Sequence, residues 1–255
     1  MMTLPFHPNL TKQVYDAIVA DIVQGRLRPG ERIVQEQIAD LLGVSRQPVQ
    51  QAVLLLRNEG LLHDGPGRGV IIAPLDLARV RTMYEVRAVL EGLAFRKAAT
   101  INSERARRLA PALLAQGHEA VASGSVPLMV AADVKFHGFI YDLAVNPLIG
   151  STLQAQWACT QRVMAEALWR DEASRDIWNQ HECMIDAVIA ADGDKAERLA
   201  REHIMESAEF MIDRLRNGPD GAVSSNPPPP GSVGHVFFPL NSTTPATTAA
   251  RRCSV

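Results

Sequence analysis

The feature that most constrains the fold is a long succession of helical patterns between Pro74 and about Arg216. Apolar residues recur there at helical spacing, and the breaks between segments are short. Aromatic residues make up only 5% of the chain, which favours helices over a β-sandwich. Because short connections join antiparallel neighbours, we expect an antiparallel bundle. Its six predicted helices span residues 77–99, 103–123, 129–145, 147–169, 174–191 and 194–216.

Residues 1–75 have a different pattern and form a separate predicted domain. Three short helical segments come first, and Gly43 and Ser45 lie in the turn between the second and the third. Two apolar runs then flank the glycine-rich stretch 64–69, which is typical of a two-stranded ribbon. Helix, turn, helix and ribbon together predict a winged helix-turn-helix. The expected fold class is therefore mainly α, with this domain followed by the six-helix bundle.

The remaining boundaries follow from composition. The bundle domain is predicted over residues 76–216, and residues 217–255 are predicted to be a disordered tail because they contain Pro227–Pro230 and many Ser, Thr and Gly residues. We find no signal peptide and no apolar stretch approaching 18 residues, so we expect a cytoplasmic bacterial protein and no membrane partner. The net charge of −2 excludes binding to nucleic acid through bulk positive charge.

A local nucleic-acid surface remains possible on the third helix. Arg and Gln side chains pair with base edges in the major groove, and recognition helices use their amino-terminal residues for this. The alternative is a set of solvated polar positions, since residues 1–75 contain seven Lys or Arg and seven Asp or Glu. The candidate DNA-binding residues are Arg46, Gln47, Gln50, Gln51 and Arg57 on the helix, with Arg68 and Gly69 on the wing.

This domain resembles the GntR family of bacterial transcription regulators. The resemblance rests on residues 25–31 (GRLRPGE), 38–49 (IADLLGVSRQPV), 59–61 (EGL) and the Gly-Arg-Gly of the wing. It implies a homodimer that binds a palindromic operator in double-stranded DNA. Gln50 stands where the family usually has Arg, and Gln suits an adenine edge better than a guanine.

The bundle contains four residues whose spacing predicts a metal site. Asp133 and His137 are four apart and share one helical face. His181 and His203 lie 12 residues before and 10 residues after Gly193, which places them at similar heights on two antiparallel helices. One carboxylate and three imidazoles suit a divalent Zn, Ni, Mn or Fe ion. The alternative is that each histidine is an unrelated core or surface residue.

The bundle also resembles the FCD effector domain found in FadR-type members of the GntR family. The matching signatures are Arg87-x3-Glu91, Asp133-x2-Phe136-His137, Asn146, the segment 181–194 and His203. The resemblance implies that Asp133, His137, His181 and His203 bind the metal, in the six-helix, metal-binding branch. It also implies that the metal helps to bind a small carboxylate effector. The candidate effector-binding residues are Arg87, Glu91, Asn146 and Arg162.

The sequence thus predicts a ligand-responsive transcription regulator that is not an enzyme. A metal-dependent enzyme is the first alternative, because Asp and three His with an open position can activate water. The chain has no HExxH motif, and Glu91 is the one residue that can be argued to be a general base. A metal sensor without an organic effector is the second alternative.

Overall fold

The computed structural model describes residues 9–65, 69–169 and 175–217. The amino-terminal domain is a winged helix-turn-helix, as predicted, but its sheet has three strands in the order β1-β3-β2, all antiparallel. The additional strand, β1, is only two residues long, so it has no alternation that a sequence pattern can show. The elements are α1 (Leu10–Val23), β1 (Arg32–Ile33), α2 (Gln35–Leu42), α3 (Arg46–Asn58), β2 (Leu62–Asp64) and β3 (Val70–Ile72).

Local sequence explains the turn that sets α2 against α3. Gly43 follows α2 with φ of 64°, a left-handed conformation that glycine adopts without steric cost. Ser45 occupies the N-cap position of α3 with an extended backbone, although its side chain makes no capping hydrogen bond. Val49, Ala52 and Leu56 are buried, so the opposite face of α3 is left to solvent.

The carboxyl-terminal domain is a helical bundle, and its first predicted pair of helices is continuous. Residues 77–122 form one element with a kink at Asn102, where φ is −135° and ψ is 31°. The Asn102 side chain donates a hydrogen bond to the Leu143 carbonyl at 2.7 Å, which holds the kink against α5. The helices are α4 (Leu77–Ala122), α5 (Val126–Ala144), α6 (Pro147–Leu168), α7 (Arg175–Ile189) and α8 (Gly193–Asn217).

Two connections of the bundle use unusual backbone conformations. Val145 after α5 and Ala191 after α7 have φ of 51° and 59°, in the left-handed region that non-glycine residues seldom adopt. Asp192, rather than the predicted Asp194, caps α8, because its carboxylate accepts from the Lys195 amide at 3.0 Å. These tight turns keep α5 against α6 and α7 against α8.

The two domains are joined by a shared apolar core. Ile18 and Leu56 of the first domain belong to the same cluster of buried residues as Val80, Tyr84 and Ile212 of the second. A groove of about 880 Å³ runs along the junction, between α1 on one side and α5 and α6 on the other. Within the described residues, no helix is long and apolar enough to cross a membrane. The predicted tail and the wing tip, residues 66–68, lie outside the described residues.

Candidate functional site

The four predicted metal ligands meet inside the bundle. Helix α5 carries Asp133 and His137 one turn apart, α7 carries His181 and α8 carries His203. All four side chains are buried, and each offers one ligand atom such that these atoms all lie within 4.8 Å of one another. Three helices therefore bring together a set of donors that is remote along the chain.

The distances within this cluster suit one ion. The Nε2 atoms of His181 and His203 are 3.2 Å apart, and Asp133 Oδ1 lies 3.5 Å from His181 Nε2 and 3.8 Å from His137 Nε2. Ligands about 2.0–2.1 Å from a four-coordinate ion lie about 3.3 Å from each other. His137 Nε2 is also a buried nitrogen without a hydrogen-bond partner, as expected for an atom that binds a metal.

Two of the histidines have a second partner on the far side of the ring. His137 Nδ1 lies 3.0 Å from Glu91 Oε2, and His203 Nδ1 lies 2.7 Å from Gln180 Oε1. A carboxylate or amide oxygen at Nδ1 places the ring proton there, which leaves the Nε2 lone pair for a metal. These contacts orient both rings towards the centre of the cluster.

The electrostatics of the cluster favour neutral imidazoles. Burial, followed by repulsion from His203 and His137, lowers the pKa of His181 well below its usual value. Burial and the neighbouring His137 lower the pKa of His203 to about 3. Burial raises the pKa of Asp133, and His137 and Arg87 partly oppose that effect. His181 and His203 are therefore uncharged at neutral pH and can bind a cation.

Arg87 lies beside the cluster as a buried cation. Its Nε donates to Glu91 Oε1 at 3.1 Å, and its guanidinium stacks 4.6 Å from the centre of the Trp157 ring. The Nη2 atom is buried without a hydrogen-bond partner. The nearby Tyr84 hydroxyl donates to the sulfur of Met211, a weak acceptor, at 3.3 Å. Both groups retain the capacity to bind an anionic oxygen.

The space around these donors is very small. The void that Arg87, Tyr84, Asp133, His137 and His203 line together with neighbouring apolar residues has a volume of about 10 Å³. A single water needs about 10–15 Å³. The void thus has room for an ion or a water, and an organic acid enters only if the lining side chains move.

The predicted effector residues divide into two groups. Arg87 and Glu91 lie at the cluster, but both oxygens of Glu91 already have protein partners, because His137 occupies one and Arg87 and Tyr141 share the other. Asn146 caps α6 through a hydrogen bond from the Leu148 amide, and Arg162 is buried against Glu166. Neither Asn146 nor Arg162 contacts the cluster through any described bond, and their role in effector binding stays a prediction.

The candidate DNA-binding residues lie on the outer face of α3. Gln47 and Gln50 are exposed, and Arg46 is exposed in an ion pair with Glu36 of α2. Gln51 accepts a hydrogen bond from the Thr11 hydroxyl, and the Arg57 guanidinium donates to Asp64. The amino-terminal half of α3 thus presents free polar side chains, while Gln51 and Arg57 have partners in the domain. Arg68 lies outside the described residues, and Gly69 is described and buried.

Gln180 and Tyr141 contribute to the site although they were not predicted from the sequence. Gln180 precedes His181 on α7, and its height relative to Gly193 also matches that of His203, which is a signal that the spacing contains. Tyr141 is one turn beyond His137 and donates to Glu91. Its pKa is raised, first by burial and then by the Glu91 charge, so it stays a proton donor.

Two protein families match the chain. The family described as bacterial regulatory proteins, gntR family, matches residues 10–72, and the FCD domain matches residues 82–206. These ranges coincide with the winged helix-turn-helix and with the bundle that contains the cluster.

Curated relatives carry the names of transcription regulators. An uncharacterized HTH-type transcriptional regulator in the TAR-I ttuE-ttuC' intergenic region of Agrobacterium vitis is 35% identical over 48% of this chain and 74% of its own length. The HTH-type transcriptional repressor RspR of Escherichia coli K12 is 26% identical over 79% of this chain and 89% of its own. A probable D-xylose utilization operon transcriptional repressor of Paenarthrobacter nicotinovorans is 29% identical over 77% and 86%.

Solved structures show the same fold. E. coli McbR/YncC aligns with a TM-score of 0.70 and 19% identity over 84% of this chain and its own full length. A GntR regulator from Rhodococcus sp. RHA1 aligns with a TM-score of 0.66 and 22% identity over 80% and 98%. Relatives that are regulators along most of their length favour gene control over the metalloenzyme. The chain thus belongs to the GntR family of bacterial transcription regulators, with an FCD effector domain behind its DNA-binding domain.

Proposed function

We propose that the bundle binds one divalent metal ion through Asp133, His137, His181 and His203, and that metal and effector together alter operator affinity. The observation that carries this proposal is the convergence of four buried ligand atoms within 4.8 Å of one another. Bound there, the ion supplies positive charge that attracts an anionic ligand. Zn, Ni, Mn and Fe all suit these donors, because geometry and availability decide between them.

The proposed effector is a small carboxylate. The buried Arg87 Nη2 has no hydrogen-bond partner, and a guanidinium forms its strongest contacts with carboxylates. The Tyr84 hydroxyl, held only by a thioether, would gain a stronger acceptor. Since the void measures about 10 Å³, effector binding has to displace lining side chains such as Met164 and Met211. Methionine suits this role because its side chain is unbranched and flexible.

Helix α4 offers a route from this site to the DNA-binding domain. Arg87 lies on α4, and two turns earlier the Arg79 guanidinium donates to the Glu59 carbonyl at the end of α3, at 3.2 Å. A ligand changes DNA affinity only if it binds one arrangement of the domains better than another. We propose that effector binding shifts α4 and so reorients the two recognition helices of a dimer.

The proposed dimer uses the bundle. Val86, Val89 and Leu93 form an apolar stripe on α4 with 50%, 50% and 39% of each residue exposed. A second copy that covers this stripe would place two α3 helices for a palindromic operator. Val89→Asp should then convert a dimer to a monomer in sedimentation velocity at micromolar concentration, whereas Val145→Asp, on an exposed turn, should not. The proposed location of the working protein is the bacterial cytoplasm, on operator DNA.

The function is tested by selecting DNA duplexes from a random pool with the purified protein and then measuring affinity for the selected duplex. We expect a palindromic sequence. We also expect its affinity to change at least tenfold when Zn²⁺ and a matching small carboxylate are added together. Recovery of no preferred sequence would contradict the gene-control function, and an affinity indifferent to both additions would contradict the proposed sensing.

A further inference from the structure

The three histidines of the cluster are held in different ways. His137 and His203 each have an oxygen at Nδ1, from Glu91 and Gln180. His181 Nδ1 is equally buried but has no hydrogen-bond partner among the described residues. Because metal-binding histidines depend on such partners for their ring orientation, another contact has to hold the ring of His181.

Aromatic packing provides that contact. The Phe136 ring stacks on His181 with centroids 4.1 Å apart and an angle of 19° between the planes. The Trp178 ring meets His181 at 4.6 Å and 87°, almost perpendicular to it. One neighbour covers the face of the imidazole and the other fixes its rotation, so the two rings together define where Nε2 points.

Trp178 reaches this position because residue 117 is glycine. A β-carbon built on Gly117 would lie 2.0–2.3 Å from three carbons of the Trp178 indole. Real β-carbons are never this close to another carbon, and the indole is buried among Phe136, His118 and His181. The ring therefore occupies space on α4 that the side chain of any other residue would fill.

We infer that Gly117 and Trp178 are positioning residues for His181. The missing side chain at position 117 admits the indole, and the indole with Phe136 directs the imidazole towards the other three ligands. The inference rests on the proposed metal site. Because protein interiors are closely packed, a methyl group at position 117 displaces the indole, and the displacement is transmitted to His181.

The test measures Co²⁺ binding by the full chain through the visible absorption of the ion, which reports the number and type of its ligands. Gly117→Ala should weaken Co²⁺ binding at least tenfold, the usual consequence of losing an outer-shell contact, and should alter the spectrum. In a Trp178→Leu background, the same glycine substitution should change affinity less than twofold, because no indole is left to displace. Gly138→Ala is the matched control, since it adjoins His137 but its β-carbon would meet no atom within 4 Å.

The outcomes separate this inference from the proposed function. If the wild-type chain binds no Co²⁺, the metal site itself fails. If the wild type binds and Gly117→Ala binds equally well with the same spectrum, the positioning role is wrong while the metal site stands. An equal loss in both backgrounds would also overturn the role, since the effect would not pass through the indole. Should Gly117→Ala fail to fold, the comparison of Trp178→Leu with the double variant decides.

Discussion

The outer face of α3 and the cluster in the bundle place their functional groups in opposite environments. Arg46, Gln47 and Gln50 project into solvent, whereas the four metal ligands are buried. A solvent-exposed side chain can exchange one partner for another without disturbing the fold. A buried polar group has to be satisfied where it lies, because desolvation without a partner is costly. The first region is thus expected to affect binding alone, and the second to affect binding and stability together.

Metal binding should show this difference most strongly. At a metal concentration about a thousandfold above the dissociation constant, a ligand stabilises the folded state by about 4 kcal/mol. Urea unfolding with and without Zn²⁺ should show this gain for the wild type and for Arg46→Ala, and little or none for Asp133→Asn. An equal gain in Asp133→Asn would break the comparison, because the ion would then be bound elsewhere.

On the recognition helix, Arg46→Ala should weaken binding to the selected operator by about 1–3 kcal/mol, as expected for a residue that reads a base edge. Its exposed ion pair with Glu36 contributes little stability, so the free energy of unfolding should change by no more than about 0.5 kcal/mol. Fluorescence anisotropy and urea unfolding measure the two quantities. Arg108→Ala, which removes an exposed arginine from the bundle, serves as the charge-matched control. Unchanged operator affinity in Arg46→Ala would exclude the base contact.

Acid should destabilise the metal-free protein through the cluster. The folded-state pKa of His203 is about 3 and that of His181 is also lowered, so both stay neutral while the unfolded chain takes up protons below about pH 6.5. Stability is therefore present above pH 6.5 and falls as the pH falls. We expect a loss of about 1 kcal/mol per histidine between pH 6.5 and 5.5. His203→Gln should halve this pH dependence, whereas the exposed His63→Gln should not; an equal effect of both would contradict the assignment.

The smallest predicted effects concern two turns with the same backbone conformation. Gly43 before α3 and Ala191 before α8 have φ of 64° and 59°. Gly43→Ala should destabilise the protein by about 1 kcal/mol, and Ala191→Gly should stabilise it by about the same amount, because only glycine adopts this conformation without strain. Thermal unfolding measures both changes. If they have the same sign, strain at these turns is not the cause.

The sequence contained the helices and the four ligands because both depend on regular spacing. A four-residue step defines the Asp133 and His137 pair, and equal distances from Gly193 define the other two. The partners of these ligands were harder to predict. Glu91 was assigned to the effector, and it lies behind His137 because the packing of α4 against α5 decides which oxygen meets which ring.

Other features depend on contacts that no local pattern expresses. The role of Gly117 is visible only when α7 is placed against α4, and the glycine alone indicates just a weak point in a helix. The two-residue strand β1 is too short to show alternation. The small volume beside the cluster depends on how Met164 and Met211 fill the space, and composition does not give side-chain conformations.

The most direct test of the central claim is the metal content of the purified chain after dialysis against Zn²⁺ and removal of free ion, measured by inductively coupled plasma mass spectrometry. The account predicts one equivalent of zinc per chain in the wild type and less than a tenth of an equivalent in a His181→Ala, His203→Ala double variant that keeps its helical circular dichroism. A wild-type chain without zinc, or a double variant that retains a full equivalent, would contradict it.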